Sequence, residues 1–141
     1  MILLDTNVLS ELMNPSPSVT MKSWLDDVRS GDLRICAITR GEIELGIALM
    51  PRGRRREHFA ASAWKLYAYF QFRCLPFEEN AAIIFGRVVA EGRKLGRPIS
   101  ILDAQIASIA LVHGLKLATR NIKDFQHIEG LNLINPWHSH E

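Results

Sequence analysis

The chain has 141 residues, of which 48% are hydrophobic and 23% are charged, and its formal net charge is +2. This length and balance suit one globular domain and exclude a disordered chain. No apolar run is long enough to span a bilayer, and no signal-peptide pattern is present. The two cysteines lie in apolar segments, which is typical of reduced thiols. We therefore expect a cytoplasmic protein that does not contact membranes.

The N-terminal half alternates short apolar runs with amphipathic segments. We predict a strand over 1–4, a helix over 7–13, a helix from 18 to about 31, a strand over 33–38 and a helix over 39–50. The prolines of NPSPS separate the first two helices. Thr39 and Glu42 have the spacing of a capping box, which would place Glu42 in the first helical turn.

The C-terminal half continues the alternation of strands and helices. We predict a basic loop over 51–56, a helix over 56–70, a strand over 73–77, a helix over 80–95, a helix over 100–114, a strand over 115–119 and a fifth strand over 131–135. Strands that are apolar on both faces and alternate with helices are typical of a parallel sheet covered on each side. The fold class is therefore α/β, with a sheet of four to five parallel strands flanked by helices. We assign residues 1–137 to one domain and 138–141 to a polar tail.

Four acidic residues lie where strands end or helices begin. Asp5 ends the first strand, Glu42 and Asp103 are placed in first helical turns, and Asp124 follows the fourth strand. Because strand carboxyl ends and the helix starts after them share one edge of an α/β sheet, these side chains can converge there. Asp103 joins the others if its helix starts at the same edge. Taken singly, each acid also has an ordinary structural explanation as a cap or a turn residue.

Clustered carboxylates need a counter-charge, because two of them repel by about 4 kcal/mol at a separation of about 4 Å. Carboxylates, hydroxyls and amides without Cys or a nearby His favour Mg²⁺ or Mn²⁺ over Zn²⁺. Such a site suits phosphoryl chemistry with metal-activated water. Thr6, Asn7 and Asn121 are short polar residues that could orient the acids.

Four segments in this order resemble the PIN-domain ribonucleases, with VapC-type toxins of bacterial toxin–antitoxin pairs, including the FitB-like members, as the nearest branch. The segments are LLDTNVLSE, TRGEIELGIA, ILDAQIASIALVHGLKLATRNIKDF and LINPW. The resemblance implies a PIN fold and a Mg²⁺- or Mn²⁺-dependent endoribonuclease that a cognate antitoxin inactivates. It also implies a homodimer and a toxin–antitoxin hetero-oligomer that binds operator DNA through the antitoxin.

The resemblance also assigns roles to the acids. Asp5, Glu42 and Asp103 match the acidic triad of the family, with Asp5 and Asp103 as the principal metal ligands. Asn121 stands where many relatives carry Asp, and Asp124 supplies a carboxylate three residues later. We therefore expect Asp124 to act through a water molecule and Asn121 to orient it, with one or two metal ions as alternatives.

Basic residues suggest an RNA surface. The segment PRGRRRE brings Arg54, Arg55 and Arg56 together just before a helix, where cations do not act as caps. They could contact the RNA backbone or lie in a solvated loop. Further candidates for RNA binding are Arg40, Arg97 and Arg120. Trp64 is predicted to be a core residue of the helix that follows, although the resemblance implies a partner surface on these early helices.

Three other functions fit part of the pattern. A phosphatase of the haloacid-dehalogenase type also begins with a strand that ends in Asp, but it needs a second acid where this chain has Asn7. A dinucleotide-binding module needs a glycine-rich turn after the first strand, where this chain has DTNVLSE. An RNA-binding or repressor subunit with a degenerate site is the remaining alternative, and the three core acids argue against it.

Overall fold

The computed structural model describes residues 1–138, which form one α/β domain of five strands and seven helices. In chain order the elements are β1 (Ile2–Leu4), α1 (Thr6–Leu12), α2 (Val19–Asp27), β2 (Leu33–Cys36), α3 (Ala37–Leu49), α4 (Arg54–Tyr69), β3 (Cys74–Leu75), α5 (Glu79–Lys94), α6 (Ile101–Val112), β4 (Lys116–Ala118), α7 (Ile122–Phe125) and β5 (Leu133–Ile134). Of the tail predicted over 138–141, residues 139–141 lie outside the described residues.

All five strands are parallel and form one sheet in the order β3-β2-β1-β4-β5. The register places Leu4 of β1 beside Ala118 of β4. The chain leaves β1 toward β2 on one side and reaches β4 and β5 on the other, so the strand order reverses between β1 and β4. In open α/β sheets a crevice forms at the carboxyl ends of the strands at such a reversal.

Two apolar clusters cover the faces of the sheet. Leu3 and Leu117 face a cluster with α5 and α6, whereas Leu4 and Ala118 face a cluster with helices α1 to α4. Successive residues of a strand point to opposite faces, which is why strands with two apolar faces are covered on both sides. The predicted α/β fold with a parallel sheet is therefore confirmed.

Helix α3 begins earlier than predicted, and this changes the setting of Glu42. The strand ends at Cys36 rather than at residue 38, and α3 begins at Ala37. The Thr39 hydroxyl accepts a hydrogen bond from the Cys36 N–H at 3.4 Å and donates to the Cys36 carbonyl at 2.9 Å. Thr39 is thus inside the first turn, so the predicted capping box with Glu42 is wrong. Glu42 lies in the second turn, where the helix dipole stabilises it less.

Helix α4 also begins earlier than predicted, at Arg54 instead of residue 56. Gly53 precedes it with a φ of +152°, a conformation that other residues rarely adopt. The arginines 54–56 therefore occupy the first helical turn rather than a loop. Trp64 of this helix is 71% exposed, so its predicted place in the core is wrong.

Three further findings complete the description of the fold. The short helix α7 was not predicted; it follows β4 and contributes the buried Phe125 to the core. Cys36 and Cys74 are both free thiols, as expected. Within residues 1–138, no helix combines the length and the apolar character that crossing a membrane requires.

Candidate functional site

Asp5 is held at the end of the central strand by hydrogen bonds from three residues. Its carboxylate accepts from the Thr6 backbone N–H at 2.8 Å, from the Thr119 hydroxyl at 2.7 Å and from the Asn7 amide at 3.4 Å. Its own backbone N–H donates to the Ala118 carbonyl at 2.9 Å, which extends the pairing of β1 with β4. Only 4% of Asp5 is exposed. The side chain is therefore fixed in position by the sheet and by the start of α1.

A cavity of about 460 Å³ opens at the reversal between β1 and β4. We call it the acidic cavity. Three predicted acids line it together: Asp5 from the end of β1, Glu42 from α3 and Asp103 from α6. The other lining residues are Thr6, Asn7, Ser10, Glu11, Arg120, Asn121 and Trp137. The topology thus brings carboxylates from three distant segments of the chain into one crevice.

The two helix-borne acids are less constrained than Asp5. Glu42 accepts a hydrogen bond from the Thr6 hydroxyl at 2.9 Å, which joins α3 to α1 beside Asp5. Asp103 lies in the first turn of α6, and its backbone N–H donates to the Ser100 hydroxyl at 3.2 Å. Both side chains are half-buried. Asp103 therefore lies at a helix N-terminus, where the helix dipole stabilises negative charge.

The electrostatics of the acidic cavity favour a cation. Burial raises the pKa of the Asp5 carboxyl above the ordinary aspartate value of 3.8, and the charges of Glu42 and Asp124 raise it further. The hydrogen bonds from Thr119 and Thr6 oppose this rise. Burial also raises the pKa of Asp103, with smaller contributions from Asp5 and Asp124. Burial, together with neighbouring negative charges that lack a counter-charge, produces these raised pKa values, and a bound divalent ion would lower them.

Asp124 and Asn121 lie beside the acidic cavity. Asp124 lines a neighbouring cavity of about 410 Å³, together with Lys123 and His138. Asn121 and Arg120 line both cavities. Asp124 is close enough to contribute to the raised pKa values of Asp5 and Asp103, although it does not line the same cavity. Its carboxylate thus flanks the other acids rather than joining them.

The residues present fit a magnesium ion that keeps most of its water. Within residues 1–138, no group of three or more Asp, Glu, His or Cys side chains is close enough to hold a metal ion. Mg²⁺ commonly binds through one or two carboxylates, with waters and substrate phosphates as its other ligands. Asp5 and Asp103 can supply such carboxylates, and the cavity has room for waters. Oxygen donors without sulfur or imidazole also match Mg²⁺ and Mn²⁺.

Sequence reasoning did not identify Thr119 and Trp137. Thr119 is fully buried and donates to Asp5, and its hydroxyl also accepts from the Asn121 backbone N–H at 3.0 Å. Thr119 follows β4 as Asp5 follows β1, but only the pairing of these two strands in the fold brings the residues together. Trp137 lines the acidic cavity but lies 13 or more residues along the chain from the candidate acids Asp5, Glu42, Asp103 and Asp124. No local pattern could have indicated it.

The predicted arginines are spread over the molecule. Arg120 lines the acidic cavity, and its backbone N–H donates to the Asn7 side chain at 3.2 Å. The Arg40 guanidinium lies 4.2 Å from the centre of the Tyr67 ring, where α3 packs on α4. Arg55 stacks more loosely on Phe59, at 5.8 Å. Of the six arginines, Arg120 is the one that the described structure places at the acids. The others, including Arg54, Arg56 and Arg97, are absent from the described lining of the acidic cavity.

Comparisons with known proteins found similar sequences and a similar fold. The family described as the PIN domain matches residues 2–131. The chain is 37% identical to the toxin FitB of Neisseria gonorrhoeae, covering 98% of this chain and 99% of that protein. It is 36% identical to the VapC ribonuclease Y4jK of Sinorhizobium fredii, covering 97% and 98%. A solved structure of FitAB bound to a DNA fragment superposes with a TM-score of 0.91 and 34% identity, covering 100% of this chain and 99% of that one.

Proposed function

Because this chain belongs to the PIN domain family, we propose that it is a divalent-metal-dependent endoribonuclease and the toxin of a type II toxin–antitoxin pair. One observation carries the catalytic part of the proposal. Asp5, Glu42 and Asp103 line one cavity at the strand-order reversal, and the buried Asp5 has a raised pKa there. A buried carboxylate surrounded by other acids suits a cation site better than a purely structural role.

Asp5 and Asp103 are the residues that would hold Mg²⁺ or Mn²⁺. When bound, such an ion activates water and stabilises negative charge on the phosphate oxygens during phosphodiester hydrolysis. Thr119, Thr6 and Asn7 orient the Asp5 carboxylate through their hydrogen bonds. The free oxygen lone pairs of Asp5 then point in a fixed direction, which lowers the cost of organising the site.

Glu42, Asp124 and Asn121 complete the proposed site. Glu42 keeps its carboxylate beside Asp5 through the Thr6 hydroxyl. Asp124 adds negative charge from α7. Asn121 lines the acidic cavity together with Asp5 and the neighbouring cavity together with Asp124. We assign Asp124 and Asn121 to orienting water rather than to direct metal contact, because Asp124 lies in the neighbouring cavity.

The RNA would approach across the rim of the acidic cavity. Arg120 is placed to bind a phosphate there, with the arginines at 54–56, Arg40 and Arg97 as more distant contacts. A phosphate backbone needs cations near an acidic site, since the carboxylates alone would repel it. A reducing, RNA-rich compartment fits both the free cysteines and this substrate, so cytoplasmic location is part of the proposal.

The proposed partners are a cognate antitoxin, a second copy of the chain and, through the antitoxin, operator DNA. The similar FitAB structure contains a DNA fragment, which supports this assembly. Exposed apolar side chains on α3 and α4 give this chain surfaces that suit protein partners: Leu45 is 57% exposed, Leu49 76% and Trp64 71%.

The decisive experiment is cleavage of RNA by the purified protein without its antitoxin. We expect cleavage of a mixed cellular RNA sample with Mg²⁺, complete loss with EDTA, and recovery when excess Mg²⁺ or Mn²⁺ is restored. The control is single-stranded DNA, which tests whether RNA is the substrate.

Cleavage that persists in EDTA would refute metal dependence. Absence of cleavage with every divalent ion, combined with retained RNA binding, would favour a non-enzymatic RNA-binding subunit. Hydrolysis of small phosphate esters alone would favour the phosphatase alternative, although the Asn7 amide occupies the place of its second acid.

A further inference from the structure

Arg120 has an unusual position for a cation in an acidic cavity. It lines the cavity beside Asp5, Glu42 and Asp103. Its guanidinium, however, lies over the ring of Trp137, 5.0 Å from the ring centre. Within residues 1–138, an ion pair with a nitrogen–oxygen distance of 4.0 Å joins Arg29 and Asp32. Arg120 forms no ion pair with any of these residues. The guanidinium thus lies on an aromatic face and forms no ion pair with the carboxylates that line the cavity.

Both members of this stack are anchored. The Arg120 backbone N–H donates to the Asn7 side chain at 3.2 Å, so its main chain is tied to the residue that also contacts Asp5. The Trp137 backbone N–H donates to the Asn135 side chain at 3.0 Å, and the ring packs against the core beneath α1 to α4. A cation centred within about 6 Å of an indole face is attracted by its quadrupole. The pair is thus pre-formed, with the exposed Arg120 lying on a half-buried ring.

We propose that Trp137 is a positioning residue that keeps Arg120 at the rim of the acidic cavity, free to bind an RNA phosphate, and away from the carboxylates that hold the metal ion. This inference rests on the proposed nuclease function. Without the aromatic face, the flexible guanidinium would turn toward the acids, because opposite charges attract strongly in a partly buried site. Arg120 would then compete with the divalent ion and no longer meet the phosphate.

The neighbouring cavity extends the same surface. Arg120 lines both cavities, and the second one contains Lys123 as well as Asp124. A phosphate bound by Arg120 would therefore lie between the acids and a further cation, along a path for the RNA strand. Phosphate contacts fix the position of a nucleic acid rather than its sequence. The pair would accordingly position RNA without specifying the cleaved sequence.

The test is a double-mutant cycle of Trp137→Leu and Arg120→Gln, with the affinity for Mn²⁺ alone measured by electron paramagnetic resonance. Trp137→Leu should weaken Mn²⁺ binding at least threefold, because Arg120 then reaches the carboxylates. Arg120→Gln alone should not weaken it. The double variant should regain at least wild-type Mn²⁺ affinity, which a purely structural role of Trp137 cannot produce. Trp137→Phe, which keeps an aromatic face, should remain close to wild type.

A second measurement follows RNA binding in chelator, where no metal-dependent cleavage occurs. Arg120→Gln and Trp137→Leu should each lower the salt slope for a single-stranded RNA by about 0.7, the value for one phosphate contact, and the double variant should lower it no further. If Trp137→Leu fails to fold, Arg120→Lys replaces it, because lysine keeps the charge but loses the planar stack and should also weaken Mn²⁺ binding.

Mn²⁺ affinity unchanged in Trp137→Leu, or a double variant as weak as Trp137→Leu, would overturn the proposal. Additive losses of RNA binding in the double variant would show instead that Trp137 contacts the RNA itself. Neither measurement uses cleavage. An inactive wild-type protein would therefore refute the nuclease function while the metal-binding cycle still decides the role of Trp137.

Discussion

The two halves of the acidic cavity are built differently. The strand half is Asp5, which is 4% exposed and accepts hydrogen bonds from Asn7 and from Thr119, a buried residue behind the cavity lining. The helix half consists of Asp103 and Glu42, which are half-buried on separate helices. The strand half is therefore part of the fold as well as the site, whereas the helix half can change with little effect on stability.

The largest expected effect is the loss of cleavage in Asp5→Asn. Removing the buried charge should lower kcat by at least about 100-fold, since a metal ligand contributes several kcal/mol to catalysis. The fold should be retained, because an amide oxygen can still accept from the Thr6 N–H. Asp5→Ala is the contrast: it removes the N-cap of α1 and should lower the free energy of unfolding by about 0.5–2 kcal/mol. RNA cleavage retained in Asp5→Asn would refute its role.

Asp103→Asn tests the helix half. We expect a loss of activity of about 100-fold as well, since it removes the second proposed metal ligand. The melting temperature should not fall below that of wild type, because the Ser100 hydroxyl still caps α6. Thermal unfolding followed by circular dichroism measures this. A marked loss of stability in Asp103→Asn would contradict the distinction between the two halves.

Thr119→Val tests whether the strand half couples stability to the site. It leaves Asp5 without its 2.7 Å hydrogen bond and should lower the free energy of unfolding by about 1–3 kcal/mol. The pKa of Asp5 should rise further, because that hydrogen bond lowers it. As the solution is acidified, Thr119→Val should therefore lose metal binding and cleavage at a higher pH than wild type does. Thr119→Ser keeps the hydroxyl and is the matched control, so equal behaviour of the two variants would contradict the coupling.

The raised pKa values also predict how stability depends on pH. The folded, metal-free protein holds the Asp5 and Asp103 protons more tightly than the unfolded chain does. Their contribution to stability is therefore fully present below the ordinary aspartate pKa of 3.8, which applies to the unfolded chain, and it decreases as the pH rises through the raised folded-state values.

As the pH rises through the raised folded-state pKa values, Asp5→Asn should consequently have a higher melting temperature than wild type. Saturating Mg²⁺ should reduce this difference. Melting curves at a series of pH values measure the two proteins side by side. A difference that shrinks with rising pH in metal-free buffer would contradict the sign of the pKa shift.

The smallest effect is expected for the arginines at 54–56, which lie outside both halves. Replacing all three with Gln should lower the salt slope of RNA binding by at most about 0.7 for each lost phosphate contact. The fold should be unaffected, because cations in the first turn of α4 oppose the helix dipole. Lys116→Gln is the control, because Lys116 lies at the amino end of β4, away from the acidic cavity at the carboxyl ends of the strands. This variant should leave the slope unchanged. An unchanged slope in the triple variant would assign these arginines to a solvated surface.

Much of the fold could be predicted because its signals are local. Apolar runs predicted the strands, and capping at Ser100 predicted the start of α6 and the first-turn position of Asp103. The predicted start of α3 was wrong because the local sequence there is compatible with two helix starts. Thr39 could cap a helix or lie in its first turn, and the buried bond to Cys36 decided for the latter.

The sequence by itself determined the residue types at strand ends and helix starts, and hence the α/β class and the candidates Asp5, Glu42 and Asp103. Only the tertiary structure decided which of them share a cavity, that Thr119 donates a hydrogen bond to Asp5, and that Arg120 stacks on Trp137. The physical reason is separation along the chain: Asp5 and Thr119 are 114 residues apart. Strand pairing brings such residues together, and no local pattern records it.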